Sequence, residues 1–185
     1  DALPIYNYDL LYTTCGKTSS FPSEICTFCL NFSDFIMQIS EAVFAEKRHI
    51  MIYGIGCDLC DTARMAKSLG GPHGSTFAAR VFGPAEREAL GLSEGNSSPL
   101  SAHKAASAAA DFAAKEAFLK AAGTGLAGPF ALCEIEAVRL ESGAPEYRFS
   151  GGSAQWMDEH HLRAKLSLSH DGGMALAFCI LETET

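Results

Sequence analysis

Two carboxylates stand where an acid needs a particular partner. Glu116 lies in the row Ala109, Phe112, Glu116, Leu119 and Gly123, which follows the three-four spacing of one helix face. A carboxylate in an apolar row must be protonated, paired with a cation or bound to a metal, because burying it charged and alone is strongly unfavourable. Lys120, four residues on, has the spacing of a helical ion pair, and Lys115 is adjacent. Asp58 leaves the run Ile52-Tyr53-Gly54-Ile55-Gly56 at what reads as the end of a buried strand. There it can cap a following helix or face a crevice, and the two roles are compatible. Two carboxylates from different elements, completed by phosphate oxygens and waters, are a typical oxygen set for magnesium.

Three further sets are candidates. Gly123-Thr124-Gly125 allows a phosphate to approach the backbone, although a helix C-terminus is the wrong dipole end for an anion and helix termination alone explains Gly123. Ser167, Ser169 and His170 alternate with Leu166 and Leu168, a pattern shared by solvated strand faces. No aspartate-histidine-serine constellation follows from these spacings, so a serine hydrolase is not indicated. Cys26-x-x-Cys29 and Cys57-x-x-Cys60 resemble half-sites of a zinc tetrad, but the gap between them is wider than in zinc ribbons and no glycine follows either pair.

The elements that would position these residues read most clearly from Met51 onward. A short strand at Ile52 to Gly56 is followed by a helix, capped by Asp58 or Asp61, that ends at Gly70-Gly71. Pro84 to Leu90 has the proline and early glutamates of a short helix, and Gly91 to Pro99 is a polar loop. Ser101 to Ala122 is a long alanine-rich helix stopped by glycine. Strands are expected at Ala131 to Leu140, at Glu146 to Ser150 across a Ser142 to Pro145 turn, at Lys165 to Ser169 and at Met174 to Leu181, with a helix over Ser153 to Ala164. The last two strands meet at the tight turn Asp171-Gly172-Gly173. Helices and hairpins are mixed rather than alternating, which is α+β.

Residues 1 to 50 differ in texture. They hold one amphipathic stripe, Phe32, Phe35, Ile36, Ile39 and Val43, and no evident chemistry, so they are read as an extension of unknown role with Met51 as a candidate start. The 185 residues, 48% hydrophobic, suffice for one domain with a real core plus this appendage. The apolar runs are too short for a spanning helix, and the N-terminus has no basic residue before Lys17, so neither a membrane segment nor a secretory signal is expected and the address reads as cytoplasmic. Seven cysteines, an odd number, suit reduced thiols better than a disulfide framework. A net charge of -8 argues against general affinity for nucleic acid or anionic lipid.

Together, Ile52-Tyr53-Gly54-Ile55-Gly56-Cys57-Asp58, the segment Phe112-Ala113-Ala114-Lys115-Glu116-Ala117-Phe118-Leu119-Lys120-Ala121, Gly123-Thr124-Gly125 and Ser167-Leu168-Ser169-His170 resemble the holo-[acyl-carrier-protein] synthases. These are the small 4'-phosphopantetheinyl transferases. The match runs from Met51 to about Glu182 and takes in Pro84-Ala85-Glu86 and Gly143-Ala144-Pro145. The resemblance implies a small domain with an antiparallel sheet packed on a long helix, forming homotrimers with the active site between subunits. It implies Mg2+-dependent transfer of phosphopantetheine from coenzyme A to a serine of apo acyl carrier protein, with release of adenosine 3',5'-bisphosphate.

By the same resemblance Asp58 and Glu116 bind magnesium, and Glu116 is the candidate to take the serine proton. Lys120 and Lys115 match positions near the coenzyme phosphates; Gly123, Thr124, Gly125, Ser169 and His170 would lie near the nucleotide. Arg64 matches a basic carrier-binding helix, which Lys67 and Arg80 would extend, so a local patch reconciles an acidic enzyme with an acidic partner. Cys57 stands where threonine is common, Asp61 where glutamate is common, and Asp111 where an arginine usually precedes Phe-Ala-Ala-Lys-Glu. The last departure implies altered affinity for phosphate or carrier. The alternative class is a non-catalytic module that binds carrier protein, or zinc through the cysteine pairs.

Overall fold

The computed structural model describes residues 50–92, 100–125 and 128–184. The helix expected from Phe32, the Cys26 and Cys29 pair and most of the 91–99 loop lie outside these residues. In chain order the elements are β1 (Ile50–Asp61), α1 (Thr62–Gly70), α2 (Gly74–Val81), α3 (Pro84–Leu90), α4 (Ala102–Ala121), a 3-10 turn (Leu132–Glu134), β2 (Ile135–Arg139), β3 (Pro145–Phe149), α5 (Gly151–Glu159), β4 (Leu162–Asp171) and β5 (Met174–Glu184). Strands β1, β5 and β4 form one antiparallel sheet in that order, and β2 and β3 form a separate hairpin. This is the α+β arrangement of antiparallel sheet and long helix that the sequence implies. Among the described residues no helix is long and apolar enough to cross a membrane.

Helix α4 lies against β1 and β5, and small residues on both sides bring the backbones close. Gly54 and Gly56 of β1 abut the backbone of α4 so tightly that a methyl at Gly56 would run into the Ala117 carbonyl oxygen, and one at Gly54 into that of Ala121. The facing helix residues Ala109, Ala113 and Ala117 are fully buried, as are Ala175, Ala177 and Cys179 of β5. The glycines of the Ile52 to Gly56 run are therefore a packing requirement rather than turn signals. On α4's other side, Phe118 packs among Phe130, Tyr147, Phe149 and Trp156, and Tyr147 donates its hydroxyl to the Ala114 carbonyl at 2.7 Å.

Several boundaries differ from expectation for local reasons. β1 is longer than its glycine run, so Asp58 sits within the strand, and Asp61 is the cap of α1, accepting from the Arg64 amide at 2.8 Å. α2 opens on Gly-Ser-Thr, weak helix formers that hide it from periodicity; Gly74 is required there because a side chain would collide with the Leu69 carbonyl. α5 ends at Glu159, short of Ala164, because His161 takes a left-handed φ of 51° and turns the chain into β4. β4 and β5 meet through Gly172 and Gly173, both at positive φ as a two-residue hairpin requires.

A buried charged network ties α4 to α3 and the β2–β3 hairpin. Lys115 and Glu86 are wholly enclosed and paired at 2.7 Å. Asp111, one turn earlier on α4, is 7% exposed at its side chain and accepts from Arg139 of β2 at 3.1 Å. The departure at position 111 is thus answered within the fold by a cation from β2. Burial, joined by the nearby Glu86 charge, pushes the Asp111 carboxyl up to about 7 against the opposing pull of Arg139.

Two outcomes follow. Gly56→Ala should cost more than about 3 kcal/mol in urea unfolding, since backbone must move, whereas Gly70→Ala, which meets open space, should change stability by less than about 1 kcal/mol. Asp111 holds its proton more firmly folded than unfolded, so its contribution to stability is greatest at low pH and declines as pH rises from about 4 to about 7. In a series of melting curves over that window, Asp111→Asn should lose this slope; curves parallel to the wild type would refute the assignment.

Candidate active site

Asp58 and Glu116 come together where α4 crosses β1, one of the two edge strands of the sheet among the described residues. Their approach follows from the glycines: with Gly56 under Ala117, the residues flanking that contact on strand and helix share one margin of the interface. Lys120, one turn beyond Glu116, places its ammonium 2.9 Å from Asp58 Oδ1 and 2.9 Å from the Cys57 carbonyl oxygen. The helical pair Glu116–Lys120 that the spacing allows is thus replaced by an ion pair across elements. Asp58 is 19% exposed at its side chain and Lys120 51%, so the pair opens to solvent.

Glu116 is half-buried, and its carboxylate makes no hydrogen bond or ion pair among the described residues. Burial pushes its carboxyl pKa up, the Asp58 charge adds to this, and Lys120 opposes it. An unpartnered carboxylate beside a second one that already holds a cation is a donor set suited to a hard divalent ion. It supplies two protein oxygens and leaves other coordination positions for water and phosphate, as magnesium prefers. The residues present therefore fit the ion the sequence implies.

Lys115 requires correction. Its ammonium does not join Lys120 but points to the opposite side of α4, fully buried, bonded to Glu86, to the Leu132 carbonyl at 3.2 Å and to the Ile135 carbonyl. Glu86 in turn accepts from the Gly83 and Ala137 amides, each at 2.8 Å. Burial pushes the Lys115 pKa down and that of Glu86 up, while the contact between them works against both shifts. Sequence reasoning gave Glu86 only a favourable place in a first helical turn; a lysine and an acid in separate motifs carry no local signal of pairing.

Gly123 and Gly125, at φ of 73° and 56°, end α4 and lie near Lys120 along the chain. The Gly123 amide donates to the Lys120 carbonyl at 3.1 Å, which is helix termination. Ser169 and His170 are separated from Asp58 within one chain by strand β5: Ser169 aligns with Leu176, and His170 with Ala175. Being consecutive on a strand, they point to opposite faces. His170 lines a small hollow with Thr62, Gly172 and Gly173. Arg64 and Lys67 are exposed on α1 and Arg80 on α2. Cys57 is exposed and Cys60 buried, on opposite faces of β1, so the second half-site of a zinc tetrad does not form.

Comparison with known proteins gives the family. Residues 54–179 match the model of the 4'-phosphopantetheinyl transferase superfamily. A holo-[acyl-carrier-protein] synthase of Methylobacterium radiotolerans is 42% identical over 137 residues, covering 71% of this chain and 94% of that protein. One of Azoarcus sp. is 39% identical over 133 residues, covering 72% and 99%. The crystal structure of the Neisseria meningitidis holo-[acyl-carrier-protein] synthase superposes with a TM-score of 0.59 at 33% identity, over 72% of this chain and all of that one. That of the Bacillus anthracis enzyme, in complex with CoA (3',5'-ADP), superposes with a TM-score of 0.56 at 29% identity, covering 72% and 99%. Motifs, fold and relatives converge: the chain belongs to the 4'-phosphopantetheinyl transferase superfamily, among the holo-[acyl-carrier-protein] synthases.

Proposed function

We propose that the chain transfers the 4'-phosphopantetheine arm of coenzyme A to a serine of apo acyl carrier protein, with Mg2+ as the metal. The observation that carries this reading is the meeting of Asp58 and Glu116 beside Lys120 in a chain of this family. The serine oxygen bonds to the phosphorus that carries pantetheine, the bridging P–O bond breaks, and adenosine 3',5'-bisphosphate leaves with the electron pair. The bound ion would neutralise charge on the pyrophosphate oxygens. Glu116, beside Asp58 at the margin of α4, takes the serine proton directly or through one water. Lys120 lies beside the carboxylates as a compact cation that can turn to the coenzyme phosphates. Gly123 to Gly125, at the same end of α4, offer backbone near the nucleotide.

The domain of transfer is residues 51–185, and residues 1–50 are an extension. Arg64, Lys67 and Arg80 form the cationic surface for an acidic carrier, effective despite the net charge of -8 because encounter follows local potential. The active form is a homotrimer. Ile55, Leu59, Leu176 and Phe178 are 41–54% exposed on the sheet face away from α4, and a neighbouring copy covers them. Ser169 and His170, remote from Asp58 in their own chain, then serve a neighbour's site. The free thiols of Cys57, Cys60, Cys133 and Cys179 suit a reducing cytoplasm.

Intact mass measurement on an apo carrier protein should reveal a Mg2+-dependent gain of one phosphopantetheine. Asp58→Ala and Glu116→Ala should each reduce the rate by at least about 10²-fold with the fold retained. Absence of transfer to every carrier tested, with carrier binding preserved, would instead identify a binding module. Phe178→Asp should yield a monomer in sedimentation and lose transfer; an unchanged association state would remove the trimer from the proposal.

A further inference from the structure

Lys115 touches no part of the site, yet its neighbour in sequence is the acid on which the site depends. Successive residues of an α-helix are about 100° apart, so Lys115 and Ala117 face nearly opposite directions with Glu116 between them. The Ala117 side is seated on Gly54 and Gly56, an interface of glycine and alanine with few side chains to interlock and resist rotation of the helix about its axis. The Lys115 side is held differently. Its ammonium bonds to a carboxylate of α3 and to carbonyls of Leu132 and Ile135, and Glu86 is held by the Gly83 and Ala137 amides. Three elements, α3, the 3-10 turn and β2, are thereby fastened to one point on α4. A hydrophobic pair of equal volume could fill the same space at comparable stability, but it would lack direction.

We propose that Lys115 and Glu86 are positioning residues that set the rotation of α4 and thereby aim Glu116 at Asp58, an inference that rests on the transferase reading. The tightness of the β1 contact sets how near the helix lies; the buried pair, together with the packing of Phe118 and the Asp111–Arg139 contact, sets which way it faces. Both requirements meet in the adjacent residues Lys115 and Glu116, one turned inward to the hairpin and the other outward to the strand edge.

The test replaces the pair by neutral side chains of similar shape, Lys115→Met with Glu86→Gln, in the full chain. The folded double variant should lose about 10²-fold in kcat, the scale of a small misplacement at a reacting centre. Its KM for the carrier protein should stay within about twofold, and the Mg2+ concentration for half-maximal rate should rise. Met157→Ala, a core change in α5 remote from the site, should keep kcat at an equal loss of Tm. Wild-type kcat in the folded double variant, or an equal loss of kcat in Met157→Ala, would overturn the inference. Should the double variant not fold, Glu86→Gln alone, which leaves the ammonium and its carbonyl bonds, carries the same test: a lower kcat supports positioning and a wild-type kcat refutes it. A wild-type enzyme without transfer activity would overturn the function proposed, and the positioning role with it.

Discussion

The close seating of α4 on β1 is the constraint from which the rest of the structure follows. A carbonyl of the helix lies where a side chain of the strand would be, which only glycine at positions 54 and 56 permits. That approach brings Asp58 near enough to Glu116 for its charge to act on the Glu116 carboxyl. It also makes the inner surface of the sheet a field of small residues, so the larger side chains collect on the far side of α4, where Phe118 and its aromatic neighbours form the main body of the core.

Charge is distributed around α4 according to what each direction must do. Toward the hairpin, Asp111 and Lys115 are buried and answered by Arg139 and Glu86, and these groups are spent on structure. Toward the strand edge, the Glu116 carboxylate has no hydrogen-bond or ion-pair partner among the described residues and Lys120 spans to Asp58, so these groups retain the freedom to meet a ligand. An unpartnered, half-buried carboxylate is unfavourable for folding alone, and the network on the opposite side offers the rigidity that keeps it in place. The same division explains why Asp111 leaves the carboxylate pair intact: its side chain belongs to the structural side of the helix, where Arg139 answers it.

Much of this was legible in the sequence. The short helix at Pro84, the long helix ended by Gly123 and the Gly172-Gly173 hairpin rest on local chemistry: a fixed proline φ and left-handed glycines. Glu116 stands out in its row by residue type alone, and that row runs from buried Ala109 to exposed Gly123 rather than along an enclosed face. α2 was hidden because its first residues are poor helix formers, and the end of α5 because a histidine at positive φ has no sequence signature. What only the tertiary structure decided was pairing. Lys115 goes to Glu86 and Lys120 to Asp58, Arg139 answers Asp111, and Asp61 rather than Asp58 caps α1. A charged residue's type and spacing state that it needs a counterpart; which counterpart it meets depends on residues distant in the chain, brought into place by the packing of backbone against backbone.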